Sequence, residues 1–351
     1  MSHPSLGVEE ELLLVSASGE PLPRSQAVAA EIEDVDVELE LTRAQVEINS
    51  PVCRTAAELH QHLTEARAKL AAAAADEGAR LLAIAAPPNG QAAQLVTKKP
   101  RYQEMAARYG QLAREQGVCG CHVHIDVPDK EAAIRVSNHL RPWLPALLAL
   151  TANSAVSLGA DTGFASWRWI QWSRWPCAGQ PPYFESAEHY DELVAGHLAA
   201  GSIMDEQMVY WDVRPSTHLP TVEVRVSDVP LTVDETVLLA TLVRALVMVA
   251  LDAGDRGPEV EPERLRAAYW LAARDGLTST NLDVLNGRVL PIADVLQRLI
   301  EHARPALEAV GDLPRAAEGV RRILAEGNGA VKQRRAFREG DSVVALTEIR
   351  P

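Results

Sequence analysis

Pro220-Thr221-Val222-Glu223-Val224-Arg225-Val226-Ser227-Asp228 is the stretch on which the fold turns. Val222, Val224 and Val226 fall on one side of an extended chain, and Thr221, Glu223, Arg225 and Ser227 on the other. The valine side predicts a core contact. The opposite side carries a carboxylate and a guanidinium two residues apart. A solvated outer face accounts for that pattern taken alone, because antiparallel sheets commonly read apolar inside and polar outside. Three other segments repeat the device and shift the reading from surface to site.

Upstream, Val118-Cys119-Gly120-Cys121-His122-Val123-His124-Ile125-Asp126-Val127 alternates in the same way. His122, His124 and Asp126 share a face with Gly120, and the cysteines share the other with Val123, Ile125 and Val127. Period two separates thiols from imidazoles, so Cys119 and Cys121 read as small core residues rather than metal ligands. Near the start, Gly7-Val8-Glu9-Glu10-Glu11-Leu12-Leu13-Leu14-Val15 puts Glu9 and Glu11 on one face; Glu10 interrupts the apolar one. In Ala44-Gln45-Val46-Glu47-Ile48-Asn49 the polar face holds Gln45, Glu47 and Asn49, and Pro51 ends the element. Between these strands residues 31–40 are strongly acidic and read as a solvated, mobile run.

The rest of the chain supplies helices. Amphipathic or apolar patterns predict them over 56–78, 98–114, 130–139, 142–156, 186–200, 234–251, 262–274, 291–310 and 314–327, with a short strand at 80–86. Residues 159–182 are irregular, bear Arg168 and Arg174, and hold four of the seven tryptophans between positions 167 and 175; this suits a site wall or a loop pinned by its indoles. Gly327-Asn328-Gly329-Ala330 with Gln333 and Arg334 reads as a helix stop, with phosphate contact the rarer alternative. No repeat and no linker divides the chain, so residues 1–351 are expected to form a single α+β domain.

Composition narrows the function classes. A formal net charge of −14 argues against nucleic acid and anionic membrane as partners. Four cysteines in 351 residues suggest a reducing, cytoplasmic setting, and residues 1–6 lack the basic and apolar regions of a signal peptide. The longest apolar stretch read from the sequence, 143–156, is too short to span a bilayer.

Should the four polar-faced strands be neighbours, Glu9, Glu11, Glu47, His122, His124 and Glu223 converge in an acid-lined basin. Burying several carboxylates without cations forces them to protonate. Oxygen-rich sites with an occasional imidazole suit Mg²⁺ or Mn²⁺, and Mg²⁺ commonly bridges carboxylates to phosphates. Arg168 and Arg225 then become candidate clamps for phosphate or carboxylate. Neither a Walker-type phosphate loop nor a glycine-rich dinucleotide turn is present in the sequence.

The ordered motifs resemble the second family of glutamate–cysteine ligases, the carboxylate-amine ligases. The likeness is carried by Gly7-Val8-Glu9-Glu10-Glu11, Gln45-Val46-Glu47-Ile48, Arg101-Tyr102, Cys119-Gly120 with His122-Val123-His124, Asn153-Ser154, Asp161-Thr162-Gly163, Trp175-Pro176, Tyr210-Trp211-Asp212-Val213-Arg214-Pro215 and Thr221-Val222-Glu223-Val224-Arg225. The resemblance implies a fold related to glutamine synthetase and guanidino kinases, with a curved antiparallel sheet forming a funnel flanked by helices. It implies ATP with Mg²⁺ or Mn²⁺, an acyl-phosphate intermediate and small-molecule substrates, glutamate with cysteine or another amine; a homodimer is compatible with it. By the same analogy Glu9, Glu11, Glu47, His122 and Glu223, with Glu40 as a weaker candidate, are metal ligands. Arg225 holds nucleotide phosphates, Arg168 the glutamate α-carboxylate, and His124 lines the site, Arg225, Glu223 and His124 forming the catalytic set.

Three departures from the family pattern bear on acceptor specificity. Ala155-Val156-Ser157-Leu158 stands where Pro and two aromatics are usual, Cys177 where Arg is usual, and Asp126 where Gly is usual. Two rival readings are a non-catalytic nucleotide- or metal-binding homologue and, from His122-Val123-His124, a metal-dependent amidohydrolase. Barrel hydrolases of the latter kind carry that pair on their first strand, whereas here it lies a third of the way along the chain.

Overall fold

A computed structural model describes residues 3–90 and 95–351; Met1 and Ser2, within the stretch read as lacking a signal peptide, lie outside it. In chain order the strands are β1 (Leu6–Val15), β2 (Asp36–Leu39), β3 (Gln45–Asn49), β4 (Arg80–Leu82), β5 (Gly120–Asp126), β6 (Val156–Ser157), β7 (Ala160–Asp161), β8 (Val213–Pro215), β9 (Thr221–Asp228), β10 (Thr280–Asp283), β11 (Arg288–Pro291) and β12 (Glu348–Ile349). Eight of them form one sheet in the order β12-β4-β1-β5-β9-β8, with β3 joined to β1 and β2 to β3. Every pairing within it is antiparallel. β1 is the hub: it pairs β5 through Leu6–Glu10, β3 through Glu9–Leu13 and β4 through Leu13–Val15.

Alternation sorts the two faces of this sheet. Val222, Val224 and Val226 of β9, Cys121, Val123 and Ile125 of β5, Leu12 and Leu14 of β1 and Val46 and Ile48 of β3 are buried in one core. The helices Ala56–Asp76, Leu144–Thr151 and Val233–Ala253 pack on the sheet. By length and apolarity Val233–Ala253 is able to cross a membrane. Most of it is buried, however, and its Arg244 bonds to the Arg54 carbonyl and to Asp312, which makes it a core helix. The helix predicted over 234–251 is thus found, but it, rather than 143–156, is the longer apolar stretch.

Glu10, the break in the apolar face of β1, is fully buried. Arg67 of helix Ala56–Asp76 grips it with Nε at 2.8 Å and Nη2 at 2.6 Å, and Thr236 donates to the same carboxylate. Arg67 also donates to the carbonyls of Pro230 and Leu231. Burial would push its guanidinium down, but the Glu10 carboxylate more than offsets this and leaves it above its ordinary value.

Four local expectations are corrected. The acidic run contains β2: Val37 packs against the core, and Glu38 pairs directly with Glu47. The predicted helix over 98–114 breaks at Gly110, whose φ of 57° divides Pro100–Tyr109 from Gln111–Arg114. The hairpin β10–β11 stands in the stretch read as mostly helix. On β9 the alternation slips: Cys121 pairs Ser227 but Val123 pairs Val224, so Arg225 and Val226 both lie opposite His122. Ser227 therefore pairs on the core side, and Asp228 comes to stand opposite Gly120 on the polar side.

The glycine-rich tail is structural. Asn328 caps helix Gly329–Glu339, and Gln333 is buried, donating to Asn153 Oδ1 at 2.7 Å. A Cβ on Gly329 would lie 1.8 Å from that same oxygen, so only glycine admits this packing.

Candidate active site

Strand register brings the polar faces into three lateral rows. Glu38, Glu47 and Glu11 are direct neighbours across β2, β3 and β1. Glu9 stands opposite His122 across β1 and β5. His124, Glu223 and Arg214 stand side by side across β5, β9 and β8. Together they floor a cleft of ≈ 280 Å³. Glu9, Glu11, Glu40, Glu47, His122, His124, Glu223 and Arg225, all singled out from the sequence, line that one cleft.

Three groups have ligand atoms within 4.8 Å of one another: Glu9, Glu47 and His122; Glu9, His124 and Glu223; Glu11, Glu40 and Glu47. Their chemistry fits hard divalent cations. His122 Nδ1 lies 2.8 Å from Glu9 Oε2, which can only accept, and 3.4 Å from Arg225 Nη1, which can only donate; the shorter contact assigns the proton to this nitrogen. Nε2 then presents a lone pair; it is buried, has no hydrogen-bond partner among the described residues and lies 3.9 Å from Glu11 Oε1. A histidine oriented by a carboxylate through one nitrogen, with the other free, is the usual state of a metal-ligating imidazole. His124 Nδ1 is 2.9 Å from Thr221 Oγ1, with Nε2 3.0 Å from Glu9 Oε1.

The electrostatics of the cleft are uneven. Burial, with Glu40, Glu9 and Glu11 nearby, pushes the Glu47 carboxyl well above its ordinary value. Burial and Glu11 push Glu40 up to about 7. Burial acts the same way on Glu223, but Arg214, Arg225 and the two histidines outweigh it and hold that carboxyl well below the usual range. Arg214 Nε donates to Glu223 Oε2 at 2.9 Å, and Arg225 donates to Oε1. Glu9, which burial alone would raise, is held low by its bonds to His122 and His124. Burial and Arg225 lower His122 and keep it neutral. At His124 the opposing pull of Glu9 and Glu223 exceeds burial and raises it.

Arg168 is not among the cleft-lining residues. It is buried beside the polar face of β5, where its Nη2 lies 2.3 Å from the position a Cβ on Gly120 would take. The same Nη2 is 3.4 Å from the Arg225 carbonyl, and Nε has no partner. The helix Trp167–Trp172 that carries it is capped by Ser166. Asp228 anchors this corner by accepting from Asn153 N, Ser154 Oγ and Ser166 Oγ, each at 2.7 Å. Ser154 Oγ in turn accepts from Arg168 N at 3.0 Å.

Several cleft residues had been given no role in the sequence reading. Arg214 escaped because β8 is only three residues long and shows no periodicity. Tyr102, Trp172, Trp175 and Tyr210 form an aromatic end of the cleft, together with Met105 and Gln116. The tryptophan-dense loop had signalled a site wall in general terms. Tyr210, by contrast, comes from a separate segment that only the fold brings near: its ring centroid is 4.7 Å from that of Trp172 and 5.8 Å from that of Trp175.

Comparison with known proteins places the chain in a family. Residues 5–346 match the family model described as glutamate-cysteine ligase family 2. The chain is 53% identical over 346 residues to a protein of Mycolicibacterium vanbaalenii named "Putative glutamate--cysteine ligase 2-2", covering 97% of this chain and 95% of that one. It is 51% identical over 352 residues to "Putative glutamate--cysteine ligase 2-1" of Nocardia farcinica, covering 99% and 92%. Among solved structures it resembles a Francisella tularensis glutamate–cysteine ligase in complex with AMP, with a TM-score of 0.74 at 13% identity, over 99% of this chain and 88% of that one. A bifunctional glutathione synthetase of Pasteurella multocida gives a TM-score of 0.69 at 15% identity, over 99% of this chain and 51% of that one. These likenesses show the fold, that of the glutamine synthetase-like ligases. The chain belongs to glutamate–cysteine ligase family 2 and is a carboxylate-amine ligase of that family.

Proposed function

We propose that the chain, acting as one catalytic unit, uses ATP to join the γ-carboxylate of glutamate to an amine, with cysteine as the amine and γ-glutamylcysteine as the product. The observation that carries this reading is the convergence of three carboxylate and imidazole clusters, from four strands and from Glu40 just past the end of β2, against the Arg214–Glu223–Arg225 array. Phosphoryl transfer asks of a protein mainly positioning and charge neutralisation, and this cleft offers both. Bound Mg²⁺ or Mn²⁺ would neutralise the carboxylates and screen the polyphosphate. Glu9, Glu11, Glu47, His122 and Glu223, with Glu40 beside Glu11 and Glu47, would hold the ions. Arg225 would face the nucleotide phosphates, its direction fixed by Glu223. His124 would line the reaction space, held by Thr221 and Glu9. Arg168 would meet the α-carboxylate of glutamate from beside Gly120.

In the reaction a γ-carboxylate oxygen takes the terminal phosphoryl group of ATP and releases ADP. The amine nitrogen then attacks the acyl carbon, phosphate leaves, and the amine gives up a proton. The test is ATP- and glutamate-dependent phosphate release across a panel of amines, with product mass measured for each. Release that depends on glutamate and peaks with cysteine supports the reading. Tight ATP binding with silence toward every amine would favour a non-catalytic homologue. Stoichiometric zinc without nucleotide binding would favour a hydrolase.

A further inference from the structure

The cleft has two unlike ends, one acidic and one walled by Trp172, Trp175 and Tyr210. We infer that Gln116 is a specificity-determining residue at the aromatic end, donating a hydrogen bond from Nε2 to a carboxylate oxygen of an amino-acid substrate. The inference rests on the ligase reading and adds to it a place where a substrate carboxylate is gripped.

Gln116 lines the cleft and is only 3% exposed. Its Oε1 accepts from Trp175 Nε1 at 3.2 Å. An indole N–H only donates, so the oxygen end of the amide is committed to Trp175 and the NH₂ end is what remains. That Nε2 is buried and has no partner among the described residues. A buried donor left unmade is costly, and such groups are rare without a reason. Gln45, in the same cleft, has no such vacancy in its donor, which reaches the Val118 carbonyl at 2.8 Å. Of these two glutamines, only Gln116 has an orphaned donor.

The surroundings favour an anion as its acceptor. Two guanidiniums stand against the aromatic wall, Arg168 at 5.9 Å from the Trp172 ring and Arg225, which itself lines the cleft, at 5.9 Å from the Tyr210 ring. Arg225 is paired with Glu223, whereas Arg168 forms no salt bridge among the described residues and leaves positive field at this end of the cleft. A carboxylate oxygen meets an amide donor and that field together, whereas an ammonium meets neither. Acyl donor and amine acceptor each bring an α-carboxylate, and experiment separates the two sources.

The experiment uses the full chain with Mg²⁺ and ADP at pH 8. Tryptophan emission follows titration with L-glutamate and, separately, with L-cysteine, since Trp172 and Trp175 report from the wall itself. Gln116→Glu keeps an acceptor for Trp175 but replaces the donor with an anionic oxygen. Gln116→Met removes donor and anchor without adding charge. Both variants are expected to weaken binding of one amino acid by about tenfold to a hundredfold, the span of a hydrogen bond to a charged group. ADP affinity stays within twofold and the melting temperature within a few degrees. The same amino acid should show the raised KM in phosphate release, which identifies the acyl or the amine subsite. Unchanged binding of both amino acids in both variants overturns the inference while leaving the ligase reading standing. Weakening in Gln116→Met alone traces to the lost Trp175 anchor and also overturns it. Wild-type protein that binds ADP but neither amino acid would sink the glutamate–cysteine reading and the inference together.

Discussion

Glu9, Glu10 and Glu11 are consecutive on one strand and meet opposite fates. Glu10 turns into the core, where Arg67 and Thr236 satisfy its carboxylate. Glu9 and Glu11 turn into a cleft lined by six carboxylates, those of Glu9, Glu11, Glu38, Glu40, Glu47 and Glu223. The arginines lining that cleft are Arg101, Arg214 and Arg225, and Arg101 is held by Asp205. On one face, charge is closed within the chain; on the other, the protein leaves an excess of negative charge beside lone pairs. Charge buried for architecture carries its counterion in the sequence, whereas charge gathered for chemistry leaves that counterion to be brought from outside.

The sharpest way to break this contrast is to remove the closed pair. Glu10→Ala strands a fully buried guanidinium and should destabilise the fold by ~3–5 kcal/mol, as measured by chemical denaturation. Loss below ~1 kcal/mol would mean that Arg67 relaxes to other partners and that the pair is not architectural. On the open face, Glu223→Gln should leave the fold soluble while cutting phosphate release by about two to three orders of magnitude, because it removes an anion that both orients Arg225 and faces the His124 cluster. Near-normal turnover would dissociate the Arg214–Glu223–Arg225 array from phosphoryl transfer.

The same contrast governs how far the sequence could be read. Period-two alternation exposed β1, β3, β5 and β9, because each is five residues or longer and sets an apolar core face against a polar one. Their acidic and imidazole faces were legible for the same reason. β2 and β8, of four and three residues, carry too few turns of the pattern to show it, so Glu38 and Arg214 went unassigned. The slip on β9 was invisible, because a bulge is decided by the partner strand rather than by local composition. The partner of Glu10 lies 57 residues away on a helix, and nothing in either segment alone announces the pairing. The aromatic end needed tertiary structure altogether, since it joins residues of the 102–116, 172–175 and 210 regions.

A smaller effect probes the seam between the faces at Gly120. Arg168 occupies the space that a side chain there would fill, with Nη2 2.3 Å from the would-be Cβ. Gly120→Ala should therefore act like a displaced Arg168, and Arg168→Ala like its removal. Both should raise the KM for glutamate about tenfold, the order of one charge-assisted contact, while shifting the KM for ATP by less than threefold. An effect confined to ATP would take Arg168 out of the carboxylate role and assign that corner to the nucleotide.

The smallest expected effect is the pH dependence of stability in the metal-free protein. Glu40 is raised from its ordinary 4.5 to about 7, and Glu47 lies well above the same value. Between pH 4.5 and 7 the folded chain therefore holds protons that the unfolded chain has already released. Stability must fall as pH climbs through that window, and it is fully retained only below 4.5. The fall should be read as a melting temperature lower by a few degrees at pH 7 than at pH 5. Burial lowers His122, whose titration runs in the opposite sense near its ordinary 6.5, so the carboxylate part is best isolated by Glu40→Gln, which should flatten the slope. Added Mg²⁺ should raise the melting temperature, and by more at pH 7 than at pH 5, because the ion binds ionised oxygens and competes with their protons. A metal-free melting temperature that rises across this window, with no response to Mg²⁺ at either pH, would mean that the cleft closes its own charge just as the Glu10 side does.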